Sequence, residues 1–199
     1  MIEQKLHELG VIISNDTVHN EAELLREYEA LTGHTLPVTY RHFLLKFKTS
    51  MYFDNMIVYR PLESSPWDSD GTQGLDEFYG LTLGANQDSG LSTLPEKYST
   101  YLDRIPYSVV PIAEAPGGNQ ICLGVEAPVE GKIFFWDHED EREIMGEQKN
   151  DFENMYLIAN TFEDLIGSLM IDNSAPDSDS DDDDDDGIVS TWFSDDLDL

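Results

Sequence analysis

One stretch constrains the fold of this chain more than any other: GGNQICLGVEAPVEGKIFFWDHEDE, residues 117–141. Two β-like runs, 119–125 and 132–139, flank a segment that contains Pro128 and Gly131. Short apolar runs separated by turn residues predict a β-hairpin. Four side chains of this hairpin are expected to supply core: Ile121, Leu123, Ile133 and Phe135. The fold must therefore include an antiparallel pair of strands.

The rest of the chain contains both helical and strand-like patterns. Apolar residues three and four positions apart predict helices over 20–33, 36–50, 95–106 and 160–170. Branched and aromatic runs predict strands over 51–62, 76–84 and 108–115. Pro111 lacks a backbone donor, so it predicts a bulge or a sheet edge within the last of these strands. Regular βαβ alternation is missing, and the pattern favours an α+β fold with a mainly antiparallel sheet.

Acidic residues dominate the charge of the chain, and they are concentrated at its end. There are 41 acidic and 11 basic residues, for a formal net charge of −30. Residues 172–199 hold 12 of the acids and none of the bases, so residues 1–171 keep a net charge of −18. The run DNSAPDSDSDDDDDDG cannot bury enough apolar surface to offset its ordering entropy. We expect a folded domain over 1–171 and a disordered acidic tail over 172–199. Within that tail, Trp192 and Phe193 belong either to a short motif that docks an aromatic pair on a partner or to an accidental or weakly packed terminus.

This charge limits the partners that the protein can have. A strongly negative surface repels nucleic acid and anionic membrane, both of which are bound through Lys and Arg. It attracts basic proteins and speeds their association. No apolar run approaches the ~20 residues that span a bilayer, and the N-terminal residues lack the pattern of a secretory signal. The single cysteine, Cys122, lies in an apolar run and excludes an internal disulfide. These features predict a cytoplasmic protein.

The acidic cluster at the end of the hairpin is a candidate metal or general-base site. It consists of Asp137, His138, Glu139, Asp140 and Glu141. Because strand side chains alternate between faces, Asp137 and Glu139 are expected on one face and His138 on the other. A cation needs several ligands that converge on one point, so we favour a solvated strand end over a metal site.

Other catalytic patterns are missing from the sequence. Neither a G-x-S-x-G elbow nor an H-E-x-x-H motif occurs. Gly117, Gly118 and Asn119 resemble an anion-binding turn, but a phosphate loop needs a helix after it, and a β run follows instead. These glycines are better explained by a tight turn or a close backbone approach. The sequence predicts no catalytic residue, no metal and no cofactor.

Five segments in order resemble the SUKH superfamily, the Smi/Knr-like proteins. They are LPVTYRHFLLKF, GLDEFYGL, VVPIAEAPGGNQICLGV, GKIFFWDHEDE and MYLIANTFEDLIGSL. The resemblance covers roughly residues 20–170. The resemblance implies an α+β fold with a mixed or mainly antiparallel sheet of about six strands and flanking helices. It also implies that the residues matching the family signature define the fold: Gly118, Asn119, Trp136, Asp137 and His138.

The resemblance implies a binding function. Most bacterial members are thought to be immunity proteins that neutralise a cognate toxin domain, often a nuclease. Fungal members act as regulatory interaction hubs. The leading hypothesis is therefore an immunity protein that occludes a basic toxin domain. The second hypothesis is a regulatory scaffold, and the third is a metal-dependent enzyme that uses Asp137, His138 and nearby carboxylates.

The partner-binding residues are expected among exposed acids and aromatic residues in loops. We predict the following contact residues: Trp67, Asp68, Asp70, Glu77, Glu139, Asp140 and Glu141.

Overall fold

Eight strands form one sheet in the computed structural model of the protein, which describes residues 2–14, 18–84, 90–140 and 152–173. The helices are α1 (Ile2–Glu8), α2 (Glu21–Thr32), α3 (Val38–Phe47), α4 (Leu94–Tyr101) and α5 (Phe162–Ser168). The strands are β1 (Val11–Ile13), β2 (Met51–Tyr59), β3 (Gln73–Phe78), β4 (Val109–Ala115), β5 (Asn119–Gly124), β6 (Ile133–Trp136), β7 (Met155–Ala159) and β8 (Met170–Ile171). A 3-10 turn, Pro116–Gly118, joins β4 to β5.

The sheet is antiparallel throughout these residues and follows the order of the chain from β1 to β7. The last strand, β8, pairs with β2 on the edge that β1 also occupies, so β1 and β8 lie end to end. The predicted α+β class and antiparallel sheet are confirmed. The expected number of about six strands is too low, because β1 and β8 are only three and two residues long. Strands this short carry no periodic signal.

The predicted hairpin is the β5–β6 pair. Gln120 lies opposite Trp136 and Leu123 lies opposite Ile133. The four core residues expected from it are all buried in the main core. The loop between the strands folds over Gly124, where a Cβ atom would lie 1.9 Å from the carbonyl oxygen of Val129. Any side chain at this position would therefore displace the loop.

The core lies mainly between one face of the sheet and the helices. Its centre is a cluster of aromatic rings, in which Phe162 of α5 lies 4.8 Å from Phe43 and 5.0 Å from Tyr40 between ring centroids. The opposite face is covered over β5 to β7 by the end of α4 and the residues that follow it. There Tyr101 packs edge-on against Trp136 at 5.3 Å. Both faces of the β5–β6 pair are therefore buried.

Two local predictions can be compared directly with the structure. Thr161 caps α5, since its side chain accepts a hydrogen bond from the backbone N of Asp164 at 3.0 Å. Pro111 lies at a register shift in β4, as the bulge prediction required, but β4 is an inner strand, so the alternative of a sheet edge is wrong. Among the described residues, none of the helices is long and apolar enough to cross a membrane.

Candidate functional site

Three connections meet at one end of the sheet. Because neighbouring strands are antiparallel, the β2–β3, β4–β5 and β6–β7 connections leave from the same side. Trp67, Asp68 and Asp70 lie on the first connection, and Glu139 and Asp140 lie on the third. The topology thus brings these five predicted residues to one end, which we call the loop end. Of the two remaining predicted contact residues, Glu77 lies on β3 and Glu141 lies outside the described residues. The predicted tail beyond residue 173, with Trp192 and Phe193, also lies outside them.

The 3-10 turn connects the two acidic loops through its glycines. A Cβ atom on Gly117 would lie 2.7 Å from Cη2 of Trp67, so the indole rests directly on this backbone. A Cβ atom on Gly118 would lie 3.7 Å from Cε1 of His138. Both glycines have positive φ, at 79° and 83°. They permit a tight turn and a close approach, as the sequence predicted, and β5 rather than a helix follows them.

Asn119 fastens this turn to the end of β6. Its side chain is fully buried, and its Oδ1 accepts a hydrogen bond from the backbone N of His138 at 3.0 Å. The same oxygen lies 3.0 Å from Nδ1 of the His138 ring. Its Nδ2 donates to the carbonyl oxygen of Pro116 at 2.9 Å. The Asn119 amide therefore holds both sides of the loop end in place.

Asp137 is a structural residue in a turn. It is only 3% exposed, and its Oδ1 accepts from the backbone N of Glu139 at 3.1 Å. Its own carbonyl oxygen accepts from Nδ2 of Asn154 at 2.8 Å. The expectation that Asp137 and Glu139 share one strand face is wrong, because β6 ends at Trp136 and a turn begins there. Within the described ranges, no three His, Cys, Asp or Glu side chains converge as a metal site would require.

The β2–β3 loop is built around Asp68. Oδ1 of Asp68 and Oγ of Ser65 both accept hydrogen bonds from Nε2 of Gln73. Oε1 of the same glutamine accepts from the Tyr59 hydroxyl at 2.8 Å. Asp68 is therefore engaged inside its loop. Asp70, which has a φ of 52°, is exposed to solvent, as are Glu139 and Asp140.

Glu77 does not lie on an exposed loop, so that expectation is wrong. It is part of β3 and is 6% exposed. Directly paired positions place it in a row across one face of the sheet: Tyr52, Glu77, Glu114, Gln120, Trp136 and Met155. Its Oε1 accepts from the backbone N of Ser92 at 3.1 Å, which ties the start of α4 to the sheet. Burial raises the pKa of Glu77 to about 7, and nearby Glu114 adds to this rise.

Glu114 and Gln120 of this row belong to a polar cluster under α4, together with Tyr79 and Lys97. Lys97 of α4 makes an ion pair with Oε2 of Glu114 and lies 5.2 Å from the ring centroid of Tyr79. The Tyr79 hydroxyl is 3.1 Å from the same Oε2 and 2.7 Å from Oε1 of Gln120. Directly opposed acids repel each other, and here Lys97 partly neutralises Glu77 and Glu114. The sequence did not indicate this cluster, because its members come from separate elements and only tertiary packing joins them.

Comparison with known proteins shows the family of this chain. The model of the SMI1 / KNR4 family (SUKH-1) matches residues 20–168. The chain belongs to this family. It is also 36% identical over 206 residues to the SPbeta prophage-derived uncharacterized protein YokK of Bacillus subtilis (strain 168), an alignment that covers 98% of this chain and 96% of that protein. The resemblance inferred from five ordered segments is thereby confirmed.

Family membership gives the signature residues a physical meaning. Gly118, Asn119, Asp137 and His138 form the contacts that shape the loop end. Trp136 is fully buried between Tyr101 and the sheet. These residues position the surrounding loops, on which Asp70, Glu139 and Asp140 are exposed to solvent.

Proposed function

We propose that this chain is an immunity protein that binds a cognate toxin domain with a basic surface, such as a nuclease, and neutralises it by covering its active surface. Membership of the SUKH-1 family carries this proposal. The charge of the chain supports it, since residues 1–171 alone hold a net charge of −18. A nuclease must present cations to hold phosphates, and an acidic protein competes for the same cations.

The proposed mechanism is electrostatic capture followed by steric occlusion. Complementary charge steers the two proteins together and raises the association rate. Close packing then slows dissociation, which is where most differences in affinity between complexes arise. The protein acts in the cytoplasm in this proposal, at the place where an incoming nuclease would reach its substrate.

Binding, rather than catalysis, is the proposed activity. In the acidic cluster after β6, the Asp137 side chain and the His138 backbone form the hydrogen bonds of a turn. Glu77, whose pKa is raised to about 7, is buried, and its carboxylate accepts a hydrogen bond from the backbone N of Ser92. The turn residues and Glu77 therefore both have structural roles.

Co-expression with the toxin domain encoded beside this gene tests the proposal. We expect cells that make the toxin to survive only when this chain is present. The purified pair should form a complex whose association rate falls about tenfold or more when salt is raised from about 50 to 300 mM. Absence of both protection and complex would refute the proposal. A stable complex with a protein that is not a toxin, and no protection, would favour the regulatory scaffold.

A further inference from the structure

An apolar groove runs along the outer face of β2. It consists of two adjoining cavities of about 320 and 450 Å³, which share Met56, Val58, Gly74 and Pro116. We call this the β2 groove. It extends from Tyr52 at one end to Trp67 at the other.

An irregularity in β2 creates this groove. Tyr52 pairs with Glu77, whereas Ile57 pairs with Leu75, so β2 has more residues than β3 over this span. Such a bulge bends the strand and re-aims its side chains. Pro116 can cover β3 only because residue 74 is glycine, where a Cβ atom would lie 2.6 Å from Cγ of Pro116.

The bulge leaves large apolar side chains in water. Met56 is 63% exposed and Tyr52 is 39% exposed, although Met51, Ile57 and Tyr59 of the same strand are buried. The half-buried Trp67 continues this surface towards the loop end. Aromatic residues and methionine are enriched at protein interfaces, where tyrosine and tryptophan often dominate the binding energy. The flexible methionine also adapts to a partner's shape.

Charge identifies the kind of partner. Among the described residues that line the β2 groove, every charged one is an aspartate: Asp54, Asp70, Asp76 and Asp172. The chain continues from this groove at Asn173 into a segment with eleven further acids. The cavity between α1, α3 and α5 differs, because Lys5 and Lys46 line it as well as Glu3 and Glu163.

We infer that the β2 groove is the surface that docks the partner, and that the partner presents an apolar side chain between Lys or Arg residues. This inference rests on the proposed function and assigns its contact face. Met56, which lines both cavities, would form the water-excluded centre, Tyr52 would extend the apolar surface from it, and the aspartates would form the rim. This arrangement of an apolar centre and a charged rim is that of known interfaces.

Two substitutions in the groove test the inference, each with a matched control. Met56→Arg places a cation at the centre, and Leu31→Arg makes the same change at an exposed position of α2. Asp76→Lys reverses a rim charge, and Glu130→Lys does so on the β5–β6 loop at the other end of the sheet. Affinity for the neighbouring toxin domain is measured for the full-length variants. We expect Met56→Arg to weaken binding about 30-fold or more and Asp76→Lys to weaken it about tenfold. The controls should remain within about threefold of wild type.

The possible outcomes separate this inference from the proposed function. If wild type binds and both groove variants bind equally well, while Glu139→Lys and Asp140→Lys weaken binding, the groove is wrong and the function stands. If wild type forms no complex, the function fails and the inference fails with it. A wild-type dimer that Met56→Arg abolishes would assign the groove to a second copy. A chain truncated at residue 173 is also measured. If the truncated chain binds the toxin more tightly, and Met56→Arg removes that gain, then the groove binds the toxin and the tail covers the groove in the full-length chain. Equal melting temperatures of Met56→Arg and wild type exclude misfolding.

Discussion

Replacing Glu77 with glutamine should stabilise the protein at pH 8 and have little effect near pH 4. The carboxyl group has an ordinary pKa of 4.5 and a folded-state pKa raised to about 7. The folded protein therefore holds this proton more tightly than the unfolded chain, and stability is lost as pH rises from about 4.5 through 7. Glutamine carries no charge and keeps the oxygen that accepts from the backbone N of Ser92.

The size of the effect follows from the same shift. At about 1.4 kcal/mol per pH unit, the full rise corresponds to about 3 kcal/mol. Solvent near the sheet face screens part of it, so we expect Glu77→Gln to add about 1–2 kcal/mol to the free energy of unfolding at pH 8. For a domain of this size that is about 3–6 °C in melting temperature.

Urea unfolding followed by tryptophan fluorescence at several pH values between 4 and 8 measures this difference. The exposed Glu130→Gln variant removes the same charge without relieving a buried one, and its effect should stay small at every pH. The reasoning is refuted if the stability difference between Glu77→Gln and wild type does not change with pH, or if wild type is the more stable at pH 8.

Substitutions at four further positions test contacts that shape the site and the fold. Asn119→Ala should reduce the free energy of unfolding by about 2 kcal/mol, because it leaves buried hydrogen-bonding groups without partners. His138→Ala should reduce the free energy of unfolding by less, since the hydrogen bond from the backbone N of residue 138 to Asn119 remains. Urea titration measures both variants. Equal losses of stability in the two variants would contradict this prediction. Gly80→Ala should reduce the free energy of unfolding by about 3 kcal/mol or more in the same assay, because a Cβ atom there would lie 2.2 Å from the backbone N of Ser50. A urea midpoint equal to that of wild type would be inconsistent with this close approach. Thr161→Ala should lower stability by about 1 kcal/mol in thermal melts, and Thr161→Ser should not. Identical melting temperatures for the two variants would show that the side-chain hydroxyl does not stabilise the helix as a cap.

Local signals in the sequence were sufficient for much of the fold. The hairpin was predictable because its apolar runs lie beside turn residues, and α5 was predictable because Thr161 precedes a regular apolar stripe. The pairing of β8 with β2 was not predictable, since two residues carry no pattern and their partner lies more than a hundred positions earlier.

The candidate site was predictable only in part. Antiparallel order brings Trp67 and Asp140 to one end of the sheet, and this follows once the strands are known. The burial of Glu77 could not be predicted from the sequence, because it depends on the contact with Ser92 and on the packing of α4. The exposure of Met56 could not be predicted either. An apolar residue beside other apolar residues indicates a core position, but the bulge in β2 leaves this side chain exposed.

The end-to-end placement of β1 and β8 along β2 has a consequence for biosynthesis. The edge of β2 near Ile57 and Val58 stays without its partner until Met170 and Ile171 have been made. An unpaired edge is a template for other chains, so incomplete chains are the species most prone to aggregate. The highly charged segment that follows is made directly after the strand that closes this edge.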